Sequence, residues 1–104
     1  MSNVIELTQA NFNETTGTGT TVIDVWAPWC GPCKQIAGDV EEAADELAKS
    51  GIKVAKVDAE IQIDLVKQLA VRAVPTFILF KDGKAVSTRV GAIKKADILN
   101  FAKA

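Results

Sequence analysis

No histidine occurs anywhere in the 104 residues, and that one absence removes Cys–His nucleophile pairs, an imidazole base and every mixed Cys/His zinc pattern. Proton transfer must then fall to carboxylates, lysines or thiols. Cysteine is almost as scarce. Two residues are too few for the disulfide framework of a small secreted domain, and a reducing cytosol leaves a merely structural pair open. There is no charge excess either: 12 basic and 13 acidic side chains give a formal charge of −1, without the cationic footprint that nucleic-acid binding needs. Long apolar runs are missing, and the opening MSNVIELTQA has no basic stretch followed by an apolar one. The expectation is a soluble, cytoplasmic protein with neither nucleic acid nor membrane among its partners.

What is present suffices for one compact core. With 48% hydrophobic residues the chain reads as a single domain, residues 1–104. Val4 to Leu7 reads as a short strand, with Thr8 offering an N-cap to a brief helix through Asn11 and Phe12. The stretch Thr15 to Thr21 (TTGTGTT) reads as a flexible connection. Thr21 to Ala27 is apolar on both faces except at Asp24, the pattern of a covered central strand. Ile36, Val40, Ala43, Ala44 and Leu47 recur at helical spacing up to a stop at Gly51. Ile52 to Val57 is a second apolar strand, parallel to the first through a right-handed crossover. Ile61, Leu65 and Leu69 predict another helix, Thr76 to Phe80 another strand, and Asp82-Gly83 a hairpin turn into Ala85 to Val90. A last helix from about Lys94 buries Ile98 and Phe101. The order is βαβαβα followed by ββα, an α/β fold with a central mixed sheet flanked by helices.

The chemistry concentrates in Trp29-Cys30-Gly31-Pro32-Cys33. Two cysteines placed at random in a chain of this length fall three apart only roughly 2% of the time, and C-x-x-C beside a βαβ unit is a redox signature. Positions i and i+3 of a first helical turn share a face, so the sulfurs can meet where free N–H groups and the helix dipole favour a thiolate. Cys30 is therefore the expected nucleophile, with Cys33 more buried. Pro32 suits a first turn that has no use for its N–H. Cys30 thiolate would attack a target disulfide and Cys33 would resolve the mixed disulfide. Asp24, buried on the strand entering the motif, is the expected proton acceptor, its pKa raised by burial. Two plainer uses compete. A structural disulfide closing so short a loop contributes only about 2 kcal/mol, and a zinc ion lacks two further Cys or His ligands, so no metal site is expected.

Val-Ile-Asp-Val-Trp-Ala-Pro-Trp-Cys-Gly-Pro-Cys-Lys, then Val-Pro-Thr-Phe, Phe-Lys-Asp-Gly and Val-Gly-Ala together resemble the thioredoxin family over nearly the whole chain. The resemblance implies the thioredoxin fold, with Cys30 as attacking and Cys33 as resolving cysteine, Asp24 as proton acceptor and Lys56 as its charge partner. It further implies a cis bond before Pro75 that sets Val74 beside the cysteines, where its backbone pairs with an extended target segment. Trp29, Ala73, Val74, Gly91 and Ala92 then form an apolar docking surface, while Gly31, Pro32 and Trp26 shape the site. Gly38 stands where the family usually has a helix-kinking proline, so a weaker kink is expected; Val25 replaces a frequent phenylalanine.

The implied activity is protein-disulfide reduction in cell redox homeostasis, by a monomer with no bound cofactor beyond its redox-active disulfide. A thioredoxin reductase would return electrons ultimately drawn from NADPH, and the other partners are disulfide-containing target proteins. A reductant is favoured over an oxidant because Gly-Pro, without the histidine of disulfide-forming relatives, separates the cysteines. The rivals are a binding module that uses the docking surface without redox turnover, and a reductant dedicated to one target.

Overall fold

A computed structural model describes residues 2–104. Ten elements follow in chain order: β1 Val4–Glu6, α1 Phe12–Thr16, β2 Thr20–Trp26, α2 Gly31–Gln35, α3 Ala37–Ala48, β3 Lys53–Asp58, α4 Ile63–Gln68, β4 Thr76–Lys81, β5 Lys84–Val90 and α5 Lys95–Ala102. The strands form one sheet in the order β1-β3-β2-β4-β5. β3 is parallel to both β1 and β2, whereas β4 runs antiparallel to β2 and β5, so the sheet is mixed as expected. β2 lies in the middle, which is why it tolerates apolar residues on both sides.

Side chains alternate across β2 and feed two cores. Val22 joins Val40, Ala43, Leu47, Phe77, Ile98 and Phe101 under α3 and α5. Ile23 and Val25 join Phe12, Val57, Leu65, Ile78 and Phe80 under α1 and α4. Val25 is fully buried, so the smaller side chain is enclosed all the same. Among the described residues, no helix is long and apolar enough to cross a membrane.

Five expectations are corrected. The Thr/Gly stretch is a tied connection rather than a flexible one. Thr15 and Thr16 already belong to α1 and β2 begins at Thr20. Between them Gly19 N–H donates to Asp82 Oδ1 at 2.8 Å, Gly83 N–H to the Thr16 carbonyl at 2.8 Å and Lys53 Nζ to the Thr18 carbonyl at 2.8 Å. These bonds, with Phe12 stacked edge-on against Phe80 at 5.6 Å, fix α1. Thr8 does not cap that helix directly: it exchanges hydrogen bonds with Asn11, which occupies the N-cap. Ile61 sits in the turn before α4 and is 68% exposed, because Asp58 closes that turn through Glu60 N–H and Gln62 N–H. Leu69 is only half-buried, at the helix end.

The fourth correction concerns the long helix, which breaks at Ile36 (φ −99°, ψ 2°) into α2 and α3. Proline is therefore not needed for the interruption; Ile36 leaves helical geometry while its side chain stays buried against Val40 and Ile93. Fifth, Cys30 and Cys33 are equally buried, at 4% and 5% exposure, so burial does not rank them.

Two helix ends can be compared directly. α3 stops in a Schellman turn, with Ile52 N–H on the Leu47 carbonyl and Gly51 at φ 75°. α4 stops in the same turn, with Val71 N–H on the Val66 carbonyl, but the left-handed position is Ala70 at φ 58°. A Cβ there is strained. Ala70→Gly is expected to raise unfolding free energy by roughly 0.5–1 kcal/mol, read as a higher urea midpoint. At Gly38, in α3, an added Cβ meets nothing within 4 Å. Gly38→Ala is expected to stabilise by about 0.5–1 kcal/mol; an unchanged or lower midpoint would refute that account of the helix.

Candidate active site

β2 delivers the chain to the site and α2 begins there. After Trp26 the strand ends at Ala27-Pro28, where the chain reverses and Cys30 N–H donates to the Ala27 carbonyl at 3.1 Å. Cys30 is the N-cap of α2, extended at φ −87°, ψ 107°, with Pro32 in the first turn. Its sulfur does what a serine oxygen does at other helix starts: it accepts the Cys33 N–H at 3.2 Å. Cys30 and Cys33 are joined in a disulfide, their Cα atoms 5.3 Å apart. Ala27, Cys30 and Cys33 form a small buried cluster against which Trp26 and Val74 pack. Ala27 is a site residue that sequence reasoning missed; its only signal was its place between a strand and a proline.

A second loop meets the cysteines from the side. The Val74–Pro75 peptide bond is cis, and the Val74 carbonyl oxygen lies 3.8 Å from Cys30 Sγ. Thr76 Oγ1 donates to the Ala73 carbonyl at 2.6 Å, and Gly91 N–H donates to the Pro75 carbonyl at 2.9 Å. Gly91 has φ 108°, a conformation that only glycine adopts without strain. Trp29 is 70% exposed. With Ala59, Val66, Val71, Arg72, Ala73 and Val74 it lines a groove of about 200 Å³. Ala73 and Ala92 are exposed, and Gly31 and Pro32 present the cysteine loop to solvent. The structure thus links Trp29, Ala73 and Val74 around one groove and ties Gly91 to it through Pro75; Ala92 is an exposed neighbour of Gly91.

Asp24 is 3% exposed and shares the β2 face of Val22 and Trp26, the face covered by α3. Its Oδ1 is buried with no hydrogen-bond partner. Burial pushes its pKa up from the ordinary carboxylate range to about 6, opposed in part by the positive charge of Lys56. The sheet register sets Lys56 directly across from Asp24 on one side and Glu6 on the other. Lys56 makes no short ion pair with Asp24; its Nζ lies 4.8 Å from the centroid of the Trp26 ring, a cation–π contact. Glu6, Trp26 and Lys56, with Glu41 and Asp58, line a cleft of about 270 Å³; Asp24 does not open into it. Among the described residues no group of three or more His, Cys, Asp or Glu could hold a metal ion.

The family model for thioredoxin matches residues 3–104. This chain belongs to the thioredoxin family. It is 38% identical over 103 residues to thioredoxin of Haemophilus influenzae, covering 97% of this chain and 95% of that protein. Thioredoxin of Acidithiobacillus ferridurans is 46% identical over 80 residues, or 77% and 73% of the two chains. The solved thioredoxin of Malassezia sympodialis superposes with a TM-score of 0.87 at 33% identity, covering all of this chain and 94% of that one. Membership and geometry agree on thiol–disulfide oxidoreduction through a redox-active disulfide: a thioredoxin-family pair at a helix start can open to a dithiol and close again.

The buried carboxylate has a thermodynamic consequence. A folded-state pKa near 6 exceeds the unfolded value, so the folded state binds the extra proton between about pH 4 and pH 6. Stability from this group is full below that window and lost as pH rises through it. Relative to wild type, Asp24→Asn should therefore gain roughly 2–3 kcal/mol in unfolding free energy between pH 4 and pH 7.5. Urea titrations of both proteins across that range check it; parallel curves would mean that Asp24 is not perturbed.

Proposed function

We propose that this protein reduces protein disulfides by a two-step exchange in which Cys30 attacks and Cys33 resolves. The carrying observation is the Cys33 N–H held on Cys30 Sγ at 3.2 Å. In the dithiol form that donor, with the first-turn N–H groups and helix dipole behind it, favours a Cys30 thiolate. Cys33, inside the first turn, has no such donor aimed at it. Attack of the Cys30 thiolate breaks the target's S–S bond, forms a mixed disulfide and expels one target thiolate. Cys33 then loses its proton, attacks Cys30 Sγ and releases the second target thiolate, leaving the protein oxidised by two electrons.

Asp24 takes the Cys33 proton. A carboxyl whose pKa lies near 6 is a competent base close to neutral pH, and its unpartnered Oδ1 leaves an acceptor position open. Lys56 acts as its charge partner, set by the sheet register and holding the carboxyl below the value that burial alone would impose. Trp26 is the platform for Lys56 and one wall of the cysteine cluster; Gly31 and Pro32 keep the approach to the cysteines open. The target's extended segment lies across Trp29, Ala73 and Val74, pairs with the Val74 backbone and borders Gly91 and Ala92. The chain works as a single-domain monomer in the cytoplasm. A thioredoxin reductase re-forms the dithiol with electrons from NADPH.

Cys33→Ser is expected to accumulate a mixed disulfide with target protein through Cys30, while Cys30→Ser accumulates none; intact-mass analysis after quenching reads both, and the reverse pattern would exchange the two roles. Asp24→Asn should slow release of the resolved target by about a hundredfold at neutral pH, seen in the stopped-flow fluorescence of Trp26 and Trp29. An unaltered release rate would remove Asp24 from the mechanism.

A further inference from the structure

The groove beside Cys30 is apolar but for one side chain. Trp29, Ala59, Val66, Val71, Ala73 and Val74 line it with Arg72, and no carboxylate does, although Ala59 lies between Asp58 and Glu60 in the chain. Asp58 is turned to its own loop, where Oδ1 accepts the Glu60 N–H, and to the cleft beside Lys56. A second groove, of about 370 Å³, lies against Leu69, Val71, Ala73, Thr76 and Val90, and Arg72 lines that one too. Arg72 is exposed. Among the described residues, the ion pairs within 4.0 Å both belong to Lys95, with Glu42 and Glu46, so no carboxylate of this chain lies within ion-pair distance of Arg72.

The surroundings share this sign. The segments that frame the disulfide, 27–34, 71–75 and 91–94, contain Lys34, Arg72 and Lys94 but no aspartate or glutamate, in a chain whose overall formal charge is −1. Lys34 and Lys94 are also exposed. A low-dielectric wall of tryptophan and valine beside an uncompensated guanidinium strengthens attraction to an anion that comes to rest there. The guanidinium fork can donate two parallel N–H bonds to a carboxylate.

We propose that Arg72 is a specificity-determining residue: it selects disulfide targets that carry an aspartate or glutamate in the extended segment beside the reacting cysteine. This deepens the reductase reading and rests on the docking of that segment along Val74. Apolar target side chains enter the groove against Trp29 and Val66, and the carboxylate engages Arg72 at its rim. The redox balance is unchanged. The Cys30/Cys33 dithiol gives up two electrons and two protons and becomes a disulfide; the target disulfide accepts them and becomes two thiols.

The test uses the full reduced chain and synthetic peptides of one length, each with an internal disulfide flanked by glutamates, glutamines or lysines. Reduction rates are divided by those of the same peptides with dithiothreitol, which removes the intrinsic reactivity of each disulfide. The acidic peptide should react about five-fold faster than the neutral one at low ionic strength, and the basic peptide slowest. In about 0.5 M salt the differences should collapse. Arg72→Gln should bring the acidic-to-neutral ratio close to one, Arg72→Glu should invert it and Arg72→Lys, which keeps the charge but loses the fork, should fall between wild type and Arg72→Gln; thermal unfolding of each variant checks the fold. Equal normalised rates for the three peptides with the wild-type chain, or an acidic preference that survives in Arg72→Glu, would overturn the proposal and leave the reductase reading standing. Failure of the wild-type chain to reduce any of the peptides would bring down both.

Discussion

The site depends on one short hydrogen bond at the start of a helix, from the Cys33 N–H to Cys30 Sγ. For it to exist, a strand must end, reverse and start a helix within a few residues, and the chain entering that start must be held while a target's sulfur attacks or leaves. The centre of the sheet supplies the rigidity. β2 is hydrogen-bonded on both sides and buried on both faces, so the residues leaving it at Ala27 have little freedom. β4, its antiparallel neighbour, starts at Thr76, directly after the loop that carries Val74. One pair of adjacent strands therefore fixes both halves of the site.

The same centrality makes Asp24 expensive. Its register partners are Lys56 and Phe77, and neither supplies a hydrogen bond to the buried Oδ1. A Val or Leu at this point of the strand would stabilise the fold, whereas the carboxylate opposes folding whenever it is ionised. Local conflict between stability and neighbours is common where chemistry is done. Here it is eased by Lys56 across the sheet, whose own charge is held over the Trp26 ring.

Much of this was legible in the sequence because local rules and global fold agree. The apolar run of β2, the amphipathic spacing of Val40, Ala43 and Leu47, and the Asp82-Gly83 turn, with both residues at positive φ, each have a short-range physical signature. Cys30, Cys33 and Asp24 stood out as chemistry set into an apolar frame, and the resemblance supplied what spacing alone does not, the cis bond before Pro75. What escaped was decided by long-range contacts. Asp82 from the β4–β5 turn and Lys53 from β3 anchor the Thr/Gly connection, and Ile61 is displaced into solvent by a turn that Asp58 closes. Arg72 carries no sequence signal of its own; only the groove beside Trp29 sets it among apolar neighbours.

The break at Ile36 separates two kinds of work. The hydrogen-bond ladder of α3 takes up again with Val40 N–H on the Ile36 carbonyl, while α2 is only five residues long. Opening the sulfur–sulfur bond forces two atoms from bonded to van der Waals separation, a movement that a continuous rod would pass on to Val40, Ala43 and Leu47 in the packed interior. With the rod jointed at Ile36, the short segment takes up the displacement and the twelve-residue one stays where the core holds it. Oxidised and reduced molecules can then share one interior and differ only in a fingertip.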